Sequence, residues 1–122
     1  MKKILVIDDD MTFVASMKAS LDPKKYEVSS AGNGIEGLAR MSESKPDLIL
    51  LDIKMPKMDG IEFLKEMNQK YGEGKTPVLI TSNVSSLDKI SEGVSLGVHG
   101  YFVKSNESLE GITGIIETVF KK

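Results

Sequence analysis

Short apolar runs alternate with helix-like segments five times along this chain, and four of the runs stop on polar residues of complementary kinds. Lys3-Ile4-Leu5-Val6-Ile7 runs into Asp8-Asp9-Asp10. Leu48-Ile49-Leu50-Leu51 stops at Asp52, Val78-Leu79-Ile80 at Thr81-Ser82, and Tyr101-Phe102-Val103 at Lys104. The unbroken apolar character of the first run fits a strand buried on both faces, as in a parallel sheet. Strict alternation of strand and helix predicts an α/β domain built on a doubly wound parallel sheet. Open sheets of this kind bind ligands at the carboxyl ends of their strands. The runs would therefore bring several carboxylates, a hydroxyl and an ammonium into one crevice. The pattern does not order the strands. A flavodoxin-like order, 2-1-3-4-5, would set the tips of strands one and three side by side at the topological switch point.

The helical segments carry their own signals. Phe13, Val14, Met17 and Leu21 recur at helical spacing before Pro23. Tyr26 to Ala31 is a more polar strand, suited to a sheet edge. Asn33-Gly34-Ile35-Glu36 and Asp59-Gly60-Ile61-Glu62 each resemble a capping box. The first would open a helix burying Ile35, Leu38, Ala39 and Met41, the second a helix burying Ile61, Phe63, Leu64 and Met67. A fourth helix is predicted from near Ser85 or Ser86 to Gly97, a C′ glycine. The last would turn Leu109, Ile112, Ile115, Ile116 and Val119 inward, with Lys121-Lys122 at its negative end. Gly72 to Pro77 reads as a loop and not a domain boundary, so residues 1–122 are expected to form a single domain.

Composition removes several classes of function. The formal net charge of −2 provides no basic field for direct nucleic-acid binding. The absence of cysteine excludes a disulfide framework and thiolate metal sites, and fits a reducing, cytoplasmic setting. The first apolar run is four residues long and ends on three aspartates, unlike a signal peptide. No run approaches membrane-spanning length, so no membrane partner is expected.

Clustered acids raise one another's pKa unless a cation is supplied. Carboxylates near a backbone carbonyl, without histidine or cysteine, suit a hard ion, and Mg²⁺ is the natural choice. Alone, Asp8-Asp9-Asp10 reads equally well as a cap and first-turn charge set for the helix that follows. Asp52 at a second strand tip favours the ion. Asp52 is also the nucleophile candidate, since a carboxylate can hold a phosphoryl group as an aspartyl-phosphate. Such a transfer needs little beyond positioning and neutralisation of the equatorial oxygens. Mg²⁺, the Lys104 ammonium and a hydroxyl from Thr81 or Ser82 would cover those oxygens.

At these residues the chain resembles, over essentially its whole length, the receiver domain of two-component response regulators. The matching pieces are Ile4 to Asp10, Leu50 to Pro56 with Met58-Asp59-Gly60, and Leu96-Gly97 with Tyr101 to Lys104. The middle string, aspartate then methionine-proline then aspartate-glycine, is the most specific. The resemblance implies a five-stranded parallel sheet in the order 2-1-3-4-5, the middle layer of a flavodoxin-like (βα)5 three-layer sandwich. It implies that Asp52 is the phosphoacceptor and also a Mg²⁺ ligand, with Asp9 the principal acidic one. Asp8 would help through water, the backbone carbonyl of Lys54 would be a further ligand, and Lys104 would pair with the phosphoryl group. The family's switch hydroxyl lies five residues after a proline and twenty-two before the lysine, and both counts reach Ser82, with Thr81 beside it. Tyr101, three residues before Lys104, takes the place of an aromatic rotamer switch.

The implied partner is a sensor histidine kinase or phosphotransfer protein, and the implied activity that of a switch, not an enzyme with a separate substrate. It would catalyse only its own phosphoryl transfer and a slow autodephosphorylation. The face of the fourth helix, fifth strand and fifth helix would be remodelled and is the expected site of any homodimer. Two residues depart from the family pattern. Asn83 stands where a small residue is usual, and Ser105 replaces a proline that follows the lysine through a cis bond; Ser105 is instead placed to cap the last helix. Lys54 and Val84, two beyond the acceptor and the hydroxyl, offer no carboxylate or amide to orient water, which predicts slow hydrolysis. His99, the one histidine, reads as an exposed bystander.

Three alternatives compete. Asp8-Asp9-Asp10-Met11-Thr12 fits the aspartate-x-aspartate-x-threonine string of haloacid dehalogenase-type hydrolases, with Asp8 as nucleophile and Asp10 as acid-base group. That reading leaves Asp52 and the Met55-Pro56 turn without a role. A flavin module of the same fold would need a phosphate loop after strand one, where three aspartates would repel phosphate. A degenerate receiver used only as an interaction surface would have no need of the full set of acids, hydroxyl and lysine. The chain is expected to be either a stand-alone regulator or a receiver cut from a longer protein.

Overall fold

The computed structural model describes residues 1–83 and 88–121, and among them five parallel strands form one sheet in the order β2-β1-β3-β4-β5. The strands are β1 (Lys2–Ile7), β2 (Tyr26–Ala31), β3 (Leu48–Leu51), β4 (Val78–Ser82) and β5 (Gly100–Val103). The helices are α1 (Met11–Ser20), α2 (Gly34–Ser44), α3 (Gly60–Tyr71), α4 (Ile90–Ser95) and α5 (Leu109–Phe120), with a 3₁₀ turn over Lys104–Asn106. This is the expected flavodoxin-like, three-layer arrangement.

Alternation within each central strand divides the core into two halves. Leu5, Ile7, Ile49, Leu51, Val78 and Ile80 face one side and pack with Met41 of α2, Phe63 and Leu64 of α3 and Ile90 of α4. Ile4, Val6, Leu48, Leu50, Leu79 and Phe102 face the other, against Val14 and Met17 of α1 and Ile112 and Ile116 of α5. Double-sided burial is why β1 and β3 read as continuous apolar runs, each such side chain stabilising the fold by about 1.5–3 kcal/mol. β2 buries only Ala31 and is the polar edge strand expected.

The helices depart from expectation at several positions. In α2 the buried stripe is Gly34, Gly37 and Met41, with Leu38 partly buried; Ile35 is 54% exposed and Ala39 is exposed. The helix is rotated so that its glycines meet the sheet. A Cβ at Gly37 would lie 2.7 Å from Cδ1 of Ile7, and one at Gly34 2.6 Å from Cγ of Met58. Its capping box is one-sided: Asn33 Oδ1 accepts from the Glu36 amide at 2.9 Å, but Glu36 accepts from the Gly32 amide instead of that of Asn33. The Asp59–Glu62 box of α3 is complete in both directions.

Gly97 adopts the left-handed conformation of a C′ glycine, with φ +87°. Val84, Ser85 and Ser86 lie outside the described residues, and with them the predicted start of the fourth helix. Ser105 does not cap α5. Ser108 does, accepting from the Gly111 amide at 3.0 Å, while Ser105 sits in the 3₁₀ turn and follows a trans peptide bond. Ile112 and Ile116 are buried, Ile115 and Val119 partly so, but Leu109, expected inward, is 43% exposed at the first turn. No described helix is long and apolar enough to cross a membrane.

Candidate functional site

Strand register brings the polar tips together. Ile7 pairs with both Ala31 and Leu51, so Asp8 and Asp52 each follow the last rung of adjacent strands. Leu51 pairs with Ile80 and Ser82 with Val103, which sets Thr81 level with Asp52 and puts Lys104 one residue beyond Ser82. The ladders continue to the edge: the Asp8 amide donates to Ala31 O and the Asp52 amide to Ile7 O, both at 2.9 Å.

Three carboxylates converge there. Asp8, Asp9 and Asp52 each offer an oxygen, and these oxygens lie within 4.8 Å of one another. Asp8 is fully buried and Asp52 only 3% exposed, whereas Asp9 faces solvent. Asp52 Oδ1 accepts the Ile53 amide at 2.9 Å, and Asp8 Oδ1 the Asp10 amide at 2.9 Å. Lys104 Nζ stands 2.6 Å from Asp8 Oδ2. Three carboxylates against the one ammonium paired with Asp8 leave carboxylates in excess at the cluster. The electrostatics register the mismatch. Burial, then the Asp8 carboxylate, push the Asp52 carboxyl up to about 7, with Asp9 adding to the rise and Lys104 and the Ile53 amide opposing it. Burial likewise raises Asp8, against the pull of Lys104. An all-oxygen donor set with carboxylates in excess of the paired ammonium fits a hard divalent cation.

The crevice over this cluster has a volume of about 610 Å³ and is lined by Asp9, Asp52, Lys54, Asn83 and Lys104, with Phe13 and Leu109 among its walls. Ser82 is fully buried, and its hydroxyl donates to Asn83 O at 2.7 Å. Thr81 is also fully buried, and its Oγ1 has no hydrogen-bond partner among the described residues. Its neighbours Leu79 and Phe102 belong to the core beneath α1 and α5. Tyr101 is 53% exposed on the edge strand β5. His99 is exposed as expected.

The loop after β3 explains the most specific sequence string. Lys57 takes a left-handed φ of 68° in the turn, Met58 O accepts the Gly34 amide at 2.9 Å, and the Gly60 amide donates to Ile53 O at 2.7 Å. A Cβ at Gly60 would collide with the Asp52 carbonyl oxygen. Asp59 and Gly60 therefore start α3 directly against the backbone that carries Asp52.

Asp10 caps α1, accepting the Thr12 and Phe13 amides at 3.1 and 3.2 Å, and is thereby occupied where the hydrolase reading needs an acid-base group. Sequence reasoning missed two features. One is the ion pair between Asp8 and Lys104, with 2.6 Å between Nζ and Oδ2. Phe13, assigned only to the core by its helical spacing, lines the crevice with its ring centroid 4.6 Å from Lys104 Nζ. The only sequence signal for it was its position in the first turn after the capping aspartate.

A doubly wound sheet carrying an acidic cluster and a lysine at its carboxyl edge defines a receiver-like domain. CheY4, a chemotaxis response regulator of Vibrio cholerae, has this fold at TM-score 0.85 and 31% identity, over 98% of each chain. The response regulator receiver domain model matches residues 4–116, and the chain belongs to that family. It is 38% identical over 104 residues to the alkaline phosphatase synthesis transcriptional regulatory protein PhoP of Bacillus subtilis (strain 168), covering 84% of this chain and 42% of that protein. It is 36% identical over 103 residues to sporulation initiation phosphotransferase F of the same organism, covering 84% of this chain and 82% of that one. The chain thus spans less than half of the matched transcriptional regulator and most of the phosphotransferase.

Proposed function

We propose that this receiver domain accepts a phosphoryl group on Asp52, in a Mg²⁺-dependent transfer from a phosphohistidine on a sensor histidine kinase or phosphotransfer protein. The observation that carries the reading is the buried Asp52 carboxylate, set among two more carboxylates and opposite Lys104. Asp8, Asp9 and Asp52, with the backbone carbonyl of Lys54, would hold Mg²⁺, whose charge offsets the carboxylates and the incoming phosphoryl oxygens. Asp52 supplies the attacking oxygen, a new O–P bond replaces the P–N bond, and the donor imidazole leaves with the electron pair. Lys104 exchanges Asp8 for a phosphoryl oxygen. The Ser82 hydroxyl turns from the Asn83 carbonyl to another, and Tyr101 moves inward from its exposed position. The outcome is a two-state change on the face of α4, β5 and α5, which is also the surface for any homodimer or output contact. The domain turns over no separate substrate. Lys54 and Val84 provide no group to orient water, which favours a long-lived acyl phosphate.

Acetyl phosphate with Mg²⁺ tests the reading. Mass spectrometry should locate the phosphoryl group on Asp52, and Asp52→Asn should abolish it; labelling of Asp8 would favour the hydrolase chemistry instead. Ser82→Ala should still be labelled but lose most of the amide shifts in residues 90–103. A full set of shifts in that variant would remove Ser82 from the switch.

A further inference from the structure

Among the described residues, the ammonium of Lys104 touches Asp8 and the Phe13 ring, both from the segment after β1. Asp8 lies 2.6 Å away and the Phe13 ring centroid 4.6 Å away. The lysine side chain is 15% exposed, so both contacts act in a largely dehydrated setting where a cation–ring attraction is stronger than at the open surface. The ring's placement is fixed from below: Asp8 Oδ1 accepts the Asp10 amide, and Asp10 caps α1 through the Phe13 amide itself. Phe13 then reaches the crevice wall shared with Asp9, Asp52 and Lys104.

We infer that Phe13 is a positioning residue that holds the Lys104 ammonium in place while it exchanges Asp8 for an oxygen of the group on Asp52. The inference rests on the phosphoryl-acceptor reading of the site. An ammonium has three N–H donors. A carboxylate partner occupies at least one of them and must be released when a phosphoryl oxygen arrives. An aromatic face attracts the cation through its quadrupole and leaves the strong donors available. It also keeps bulk water from the side of the ammonium it covers. Asp8 alone would hold the lysine in the resting state only, whereas the ring holds it before and after the exchange. A leucine at this position fills the same wall but has no negative face.

Two measurements on the whole chain test this. In the parent protein the Lys104 ε-methylene protons should be shifted upfield by the ring, and Phe13→Leu should remove that shift. An unshifted methylene in the parent would overturn the contact independently of any phosphoryl chemistry. At fixed Mg²⁺, beryllofluoride should bind Phe13→Leu about three- to tenfold more weakly than the parent, with Phe13→Tyr restoring most of the affinity. In a Lys104→Ala background the same leucine substitution should have no further effect. Equal affinities of parent and Phe13→Leu, or an equal loss with Lys104 absent, would refute the positioning role. A parent that binds no beryllofluoride would instead refute the phosphoryl-acceptor reading, and the lysine spectrum would then decide the contact alone.

Discussion

Asp52 is where chemistry and stability oppose each other. Its carboxyl rises from 3.8 to about 7 on folding, so between those pH values the folded chain binds a proton that the unfolded chain has released. Stability is therefore greatest below the window and falls as pH climbs through about 7, an effect on the order of 4 kcal/mol without a cation. Asp52→Asn should flatten the profile, leaving a residual slope from Asp8. In urea titrations the variant should gain on the parent steadily from pH 4 to pH 8; a constant difference would contradict the buried, like-charged setting. Thr81 offers a simpler case. A fully buried hydroxyl with no partner among the described residues destabilises, so Thr81→Val should raise stability by about 1 kcal/mol while leaving labelling at Asp52 intact. A loss of stability would mean that Oγ1 is satisfied in solution.

At the scale of elements, two helices approach the sheet through glycines whose value is the absence of a side chain. Gly60 meets the backbone of Asp52 and Ile53, which cannot yield as a flexible side chain could. Gly60→Ala is expected to destabilise by about 2–3 kcal/mol despite its better helix propensity, and to slow labelling by displacing Asp52. Thermal melts and acetyl phosphate kinetics check the two effects together; a neutral or stabilising alanine would show that α3 moves freely. The complete capping box of α3 was legible because its residue types and spacing demand it. The rotation of α2 was not. Hydropathy favours Ile35 and Ala39 as inward residues, but the helix can come close to Ile7 and Phe63 only through Gly37. Leu109 misled for a related reason: it shares the spacing of Ile112 and Ile116, yet it lies in the first turn beside the open crevice.

For the molecule as a whole, a cation held by the acidic cluster at the sheet edge would make ion binding and folding one equilibrium. Mg²⁺ at a hundred times its dissociation constant should add about 2.7 kcal/mol to stability, and EDTA should reverse the gain. The effect should be larger at pH 8 than at pH 5, because Asp52 must lose its proton to serve as a ligand. Asp9→Asn should remove most of it. Melting temperatures with and without Mg²⁺ at the two pH values measure all three; a gain that persists unchanged in Asp9→Asn would place the ion elsewhere.

The chain's own order of residues determined the alternation of five strands and helices and the polar residue at each tip. These are local properties: period, length and spacing survive without knowing what lies opposite. Tertiary structure alone decided that Lys104 pairs with Asp8, that Phe13 stands beside that lysine, that α2 packs on glycine, and that Thr81 is left without a partner among the described residues. Each of these depends on which groups from distant segments meet in low dielectric. Neither a glycine's missing side chain nor a ring's charge distribution leaves a periodic trace in the sequence.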